Sequence, residues 1–463
     1  MTEPWVPGAP PRAAWSRLTS EAFDLLVVGG GIHGAGVARD AALRGLRVAL
    51  VERADWASGT SSRSTKMLHG GLRYLKQGRI GQVRRALAER ELHCRIAPGW
   101  THRITLVVPP PVRGTRLWLR AGIALYGLLA GRAGGARFWR GDPRYEDVLI
   151  DDANFVLALV EDARTHGACA LNHVAWTGSP APDRHAVVDR VSGATGVVRA
   201  GTTVLALGPW AGQAPAGSSG LRLTRGTHVV LAGTPGDDAG RLFLAPEDRR
   251  PLFLLPYGPG HSLLGTTDLD VASADADPVP TGDELRYLRE SVCAQFPVAR
   301  TWSAVGWQCG LRPLVDAAGG PGSVSREERI KFDPGARRVE ILGGKYTGYR
   351  RVAERAVDQV CGLLGNPASG RTGRMRIPDP PVPGGPEDRI RRAIQESDAV
   401  RLEDVFARRT RLADWGLDDA ATVRGAAELL AAHNGAGERA ETLARAYLEQ
   451  REARLRVLRG WES

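Results

Sequence analysis

Cysteine is scarce in this chain. Its five cysteines, Cys94, Cys169, Cys293, Cys309 and Cys361, are scattered over 463 residues, and none forms a C-x-x-C pair. An odd, dispersed set excludes a disulfide framework and a zinc ribbon as the organising device. Lysine is scarcer still. Of 62 basic residues only Lys66, Lys76, Lys331 and Lys345 are lysine, so arginine carries the formal charge of +11. Long apolar runs are also missing. No stretch of about 18 uncharged apolar residues exists; the nearest, Leu117 to Ala130, is interrupted by Arg120. Met1 to Ser20 is rich in Pro, Arg and Trp and lacks the apolar core, about 7–15 residues long, of a secretion signal. A reducing cytoplasm is the expected location. No compact basic stripe with interleaved aromatics is present, which argues against nucleic acid as a partner. The arginines are instead mixed with acids, as in Arg286-Tyr287-Leu288-Arg289-Glu290. That pattern reads as a solvated mixed surface, with attraction to an anionic membrane or substrate as the other reading.

What is present is an alternation of short apolar runs, glycine turns and helical periods, in a chain long enough for two or three domains. Phe23 to Val28 reads as a buried parallel strand, Ile32 to Arg44 as a helix and Leu46 to Val51 as a second strand closed by Glu52. Together they make a βαβ unit. Helices are expected over Val83 to Ile96, Phe155 to His166, Asp283 to Gln295 and Tyr349 to Leu364. Strands are expected over Val197 to Leu207, within Leu221 to Leu264, and over Val339 to Leu342. Thr105 to Ile150 has no clear assignment. Asn366 to Pro386, with six prolines and four glycines, reads as a linker. Glu387 to Trp461 reads as helical and shows no catalytic cluster.

The turn between the first strand and helix is Gly29-Gly30-Gly31-Ile32-His33-Gly34, a G-x-G-x-x-G. Gly29 suits the tight turn, Gly31 the close approach of a pyrophosphate, and Gly34 close helix–sheet contact. The helix N-terminus offers free N–H groups to phosphates, and Glu52 stands where a carboxylate binds ribose hydroxyls. The motif alone leaves NAD and FAD both open. Next comes Ser58-Gly59-Thr60-Ser61-Ser62, small residues that admit a pyrophosphate and a ring without steric conflict, followed closely by Lys66, His69, Gly70-Gly71, Arg73 and Tyr74.

This segment, Gly59-Thr60-Ser61-Ser62 through Lys66 to His69-Gly70-Gly71-Leu72-Arg73-Tyr74-Leu75, resembles the FAD-dependent glycerol-3-phosphate dehydrogenases, which share the D-amino-acid-oxidase-like flavoprotein fold. Further matching motifs are Gly208-Pro209-Trp210, Gly265-Thr266-Thr267-Asp268, Gly310-Leu311-Arg312-Pro313-Leu314 and Gly343-Gly344-Lys345-Tyr346-Thr347, and the likeness runs from about Phe23 to Ala356. The resemblance implies an α/β architecture. A Rossmann-type FAD-binding domain is expected over about 21–100, 150–215 and 300–365, and a β-rich substrate domain over about 101–149 and 216–299. Residues 1–20 are then an N-terminal extension, 366–386 a linker and 387–463 a small C-terminal helical domain. It implies FAD as cofactor, a small phosphorylated alcohol as substrate, a quinone or another electron acceptor, a homo-oligomer, and possible peripheral membrane association through Leu117 to Ala130. A buried helix of the substrate domain is the alternative for that last segment.

Carried over residue by residue, the resemblance assigns Arg73, Tyr74 and Arg326 to the phosphate. Arg312 and Lys345 fall to the reacting hydroxyl, and Gly208, Gly343, Gly344, Tyr346 and Thr347 to the flavin's surroundings. His69 is a candidate base or, equally, a structural hydrogen-bonder. His33 is expected to be incidental, and His228 a satisfied structural histidine, with an approach to the flavin as its other reading. Two departures stand out: Tyr346-Thr347-Gly348 replaces a usual pair of threonines before Tyr-Arg, and Leu207 replaces a usual Thr. Competing readings are an FAD enzyme for a different anionic alcohol or an amine, and a non-catalytic flavin-binding regulator.

Overall fold

The computed structural model describes residues 12–71, 75, 78–109, 116–129, 142–213, 220–274, 277–315, 328–382, 384–434 and 439–462. Arg73, Tyr74 and Arg326 lie outside them.

Among the described residues, two eight-stranded sheets carry the molecule. In the first, Arg338–Leu342, Thr195–Leu205, Ala22–Val28, Val48–Val51 and Cys169–Leu171 run parallel in that order, with Arg329–Asp333 antiparallel on one edge. A hairpin, Val174–Ala181 and Arg184–Asp189, pairs onto Thr195–Leu205. Leu25, Leu26 and Val27 are fully buried because helices cover this part of the sheet. Helix Ile32–Leu43 is apolar or small over most of its length and is buried almost throughout. At Gly36 a Cβ would stand 2.7 Å from the Tyr349 ring, so only glycine lets the helix Tyr349–Leu364 pack this closely.

The second sheet holds Thr101–Val107, Arg144–Ile150 and the strands between Arg222 and Val271. Thr105 to Ile150, unassigned from sequence, thus supplies most of two paired strands around the helix Arg116–Leu129. That helix buries Ile123 and Tyr126 in the sheet's core, while Leu125 and Leu128 face solvent. Among the described residues no helix is long and apolar enough to cross a membrane.

Three expectations need correction. Residues 13–20, expected within an N-terminal extension, form a helix that packs Trp15 and Leu18 into the core beside Ala200. Ser303–Leu314, expected with the FAD-binding part, pairs along its whole length with Arg222–Ala232 in the second sheet. The glycine- and proline-rich 366–386 segment packs on the body: Ile377 is fully buried and its N–H donates to Ile96 O at 2.7 Å.

The C-terminal helices, Pro386–Glu396, Ala420–His433 and Ala440–Val457, enclose their own core of Ile390, Val405, Phe406, Leu430 and Tyr447. Buried ion pairs tie them to the first domain. Asp55 receives Arg408 Nε at 2.5 Å and Arg409 Nη2 at 2.8 Å. Asp404 bonds Arg408 and accepts from His173 Nε2 at 3.1 Å. Asp55, His173 and Asp404 converge closely enough to suggest metal ligation. Guanidinium groups already hold both carboxylates, which makes this an ion-pair cluster.

Candidate active site and cofactor cleft

A cavity of about 970 Å³ runs between the sheets and under the C-terminal helices. Gly29, Gly31, Glu52, Ser58, Gly59, Thr60, Ser61 and Ser62 line it, as do His69, Gly208, Arg312, Gly343, Gly344, Lys345, Tyr346 and Thr347. Residues expected together from motifs spread over three hundred positions therefore share one cleft. Gly34 does not line it; a Cβ there would stand 1.7 Å from Gly29 O, so it is the close-packing glycine beneath the turn.

The cleft fits a dinucleotide. Gly29 has φ +111°, and a Cβ on it would lie 2.4 Å from Ala206 O. The first turn of the helix is fixed by Ile32 N donating to Ser61 Oγ at 2.9 Å. Glu52 is held by Gly30 N at 2.6 Å and Ala54 N at 2.9 Å. Thr60 Oγ1 donates to Leu311 O at 2.5 Å, linking the Ser58–Ser62 loop to the second sheet. Opposite, Gly343 (φ +68°) and Gly344 (φ +100°) make a second turn that a side chain would strain. His33, expected to be incidental, fills the space under it: a Cβ on Gly344 would meet its ring at 2.6 Å. Burial pulls this imidazole down to about 4, so it sits there neutral.

The chemistry-bearing wall is the pair of strands Arg222–Ala232 and Ser303–Leu314. Their register sets His228 opposite Gln308, Gly226 opposite Gly310 and Thr224 opposite Arg312, and with a period of two all six share one face. The Arg312 guanidinium folds over Gly226, where a Cβ would lie 2.0 Å from Nη2. It donates to Thr266 Oγ1 at 2.7 Å, and to Thr267 O and Asp268 Oδ1 at 3.1 Å each. His228, expected to be a satisfied structural histidine, is not fully satisfied. Its Nε2 lies 3.0 Å from Thr65 Oγ1, while Nδ1 is buried without a partner among the described residues, and the residue lines the cleft. Burial, then the charges of Arg312 and Lys66, hold its pKa well below 6.5. His69 lines the same cleft and is half-buried.

Sequence reasoning missed a second layer. Among the described lysines, Lys66 is deeply buried while Lys345 is half-buried. Its Nζ donates to both oxygens of Asp152 at 2.9 Å and to Ser62 O at 2.5 Å. Arg411, from the C-terminal region, donates to Asp152 Oδ1 at 2.5 Å and Asp151 Oδ1 at 2.9 Å. Burial and then Arg411 lower the Lys66 ammonium to about 8, against the pull of Asp152. Both Arg411 and Asp414 line the cleft. The C-terminal helices, which showed no catalytic cluster in sequence, thus close one side of the site.

A family model described as FAD dependent oxidoreductase matches residues 24–340. The chain is 37% identical over 380 residues to glycerol-3-phosphate dehydrogenase 2 of Mycobacterium tuberculosis, covering 74% of this chain and 64% of that protein. It is 34% identical over 417 residues to the D-erythritol 1-phosphate dehydrogenase of Brucella abortus, covering 83% of this chain and 81% of that one. The fold is similar to that of the glycerol-3-phosphate dehydrogenase from Bacillus halodurans complexed with FAD, with a TM-score of 0.76 at 24% identity over 96% of both chains. The chain therefore spans just under two thirds of the length of the mycobacterial relative. With 24–340 matched and the glycine cradle, carboxylate and second turn all facing one cleft, the chain belongs to the FAD dependent oxidoreductase family.

Proposed function

We propose that this protein oxidises a small phosphorylated polyol, sn-glycerol 3-phosphate, to the ketone dihydroxyacetone phosphate, with FAD as its cofactor and a quinone or another acceptor downstream. The observation that carries this reading is the wall on which a neutral His228 with a bare Nδ1 stands beside a fixed Arg312, inside the cleft of the dinucleotide turn. The names of the two relatives, both dehydrogenases of polyol phosphates, support it.

Residues 29–31 and the helix that follows would hold the FAD pyrophosphate, Glu52 the ribose hydroxyls, and Gly343 to Thr347 the neighbourhood of the ring. When bound, FAD supplies the acceptor for the hydride that leaves the alcohol carbon. The chain's own residues do the rest. His228 takes the hydroxyl proton at Nδ1 when Nε2 carries its hydrogen toward Thr65 Oγ1. Arg312, immobilised by Thr266, Thr267 and Asp268, places positive charge where the oxygen becomes negative as that proton leaves. Arg73, Tyr74 and Arg326 are proposed to anchor the anionic end, and Lys345 to act with Arg312 at the reacting hydroxyl.

The D-erythritol 1-phosphate dehydrogenase likeness favours a second reading, a four-carbon polyol phosphate in the same site. Turnover with an artificial dye and identification of the ketone separates the two: a clear preference for the four-carbon substrate selects the second.

A pH profile tests the base. Because the folded-state pKa of His228 is depressed, its neutral, proton-accepting form persists below 6.5. We expect kcat/KM to stay flat from neutral pH down past 6.5 and to fall only at more acidic pH. His228→Asn should remove that limb and lower kcat by about 100-fold or more. A limb at or above 6.5, or a variant with parental kcat, assigns the base elsewhere.

A further inference from the structure

Gln308 lies directly across the strand pair from His228, on the same face, and has no part in the chemistry described so far. Its Nε2 donates to Asp414 Oδ2 at 2.7 Å and to Tyr257 Oη at 3.2 Å, and Tyr257 Oη donates to the same Asp414 oxygen at 2.6 Å. A carboxylate only accepts, so Asp414 dictates which end of the amide faces it. The amide oxygen is left on the other side, buried and without a partner among the described residues, in a residue that is 6% exposed and lines the cleft. His228 Nδ1 is in the same state on the same wall. Buried acceptors are nearly always satisfied. Two bare ones side by side in a binding cleft call for donors that a ligand brings.

One hydroxyl has one proton and cannot donate to both. Two hydroxyls on adjacent carbons can. An amide oxygen only accepts and an ionised phosphate oxygen has no proton to give, so a hydroxyl and not the anionic end meets Gln308 Oε1. We propose that Gln308 is the specificity-determining residue of the site: its Oε1 accepts from the hydroxyl on the carbon next to the reacting one. The substrate class is thereby a phosphorylated vicinal diol, and an alcohol lacking the second hydroxyl is rejected. This rests on the phosphorylated-alcohol reading above and narrows it. Tyr257 and Asp414 act through Gln308 as positioning residues, fixing its amide.

The test compares sn-glycerol 3-phosphate with 2-hydroxypropyl phosphate, the same molecule without its terminal hydroxyl, in dye-coupled turnover by the FAD-loaded enzyme and its Gln308→Met variant. The parent enzyme is expected to favour the diol by about 100-fold in kcat/KM, since an analogue lacking a hydrogen-bonding hydroxyl leaves a buried partner unpaired. In Gln308→Met the gap should shrink to about 5-fold or less, through loss with the diol and at unchanged FAD content. Equal handling of both compounds by the parent enzyme overturns the proposal even if the variant fails to fold. So does a gap that survives in the variant. If neither compound nor D-erythritol 1-phosphate is oxidised, the phosphorylated-alcohol reading itself fails and this inference falls with it.

Discussion

Replacing Arg312 with alanine is expected to lower kcat/KM for the phosphorylated alcohol by about 10²–10³-fold while the purified protein keeps its FAD. The guanidinium is the stronger of the two charges acting on His228, held by Thr266 Oγ1, Thr267 O and Asp268 Oδ1 and folded over Gly226. None of those contacts touches the turn at Gly29 or the Ser58–Ser62 loop, so cofactor retention should not depend on them. Arg312→Lys is expected to recover little. A lysine keeps the charge but not the planar fork that reaches three acceptors at once. Loss of the arginine also removes one of the two charges that depress His228, so residual activity should show its acid limb shifted upward. A variant that reduces its flavin at the parental rate would separate Arg312 from the reaction.

Asp152→Ala is expected to destabilise the fold by about 3–5 kcal/mol and to loosen FAD. The carboxylate is fully buried at the start of helix Asp152–Thr165 and serves four donors: Lys66 Nζ, Arg411 Nη2, Ser64 N at 3.1 Å and Ser64 Oγ at 2.6 Å. Arg411 would keep Asp151, but Lys66 would lose its carboxylate partner while still buried. Breaking one side of a buried pair is costly because the other charge stays behind without compensation. Since Lys66 also donates to Ser62 O, the small-residue loop of the cleft should become mobile and release cofactor more readily. Lys66→Met in the Asp152→Ala background should restore part of the denaturant midpoint, which a simple packing defect would not allow. An unchanged midpoint in Asp152→Ala would show that this network contributes nothing to stability.

The cleft was legible in sequence where its signal is local. Gly29 to Gly34, the Ser58–Ser62 run and Gly343-Gly344-Lys345 are short strings whose residue types follow from steric demands within a few positions. They point to one site before any contact is known. Charge pairing leaves no such trace. Asp55 with Arg408 and Arg409, and Asp152 with Arg411, meet across more than 250 residues, and nothing near either partner foretells the other. For the same reason an arginine-rich composition suggested a solvated surface, whereas Arg39, Arg44, Arg90, Arg350, Arg408, Arg409 and Arg411 are buried in ion pairs. The meeting of His228 with Gln308 was hidden for a different reason. Alternation along a strand gives each a face, but only the pairing of Arg222–Ala232 with Ser303–Leu314, set by the tertiary fold, makes them neighbours facing a cleft.

The most direct test of the central claim is the absorbance of the FAD-loaded protein on anaerobic addition of sn-glycerol 3-phosphate. The account predicts that the oxidised flavin band is lost and that dihydroxyacetone phosphate appears in equal amount to the FAD reduced. A band that persists in folded, FAD-replete protein, with this substrate and with D-erythritol 1-phosphate alike, would contradict it.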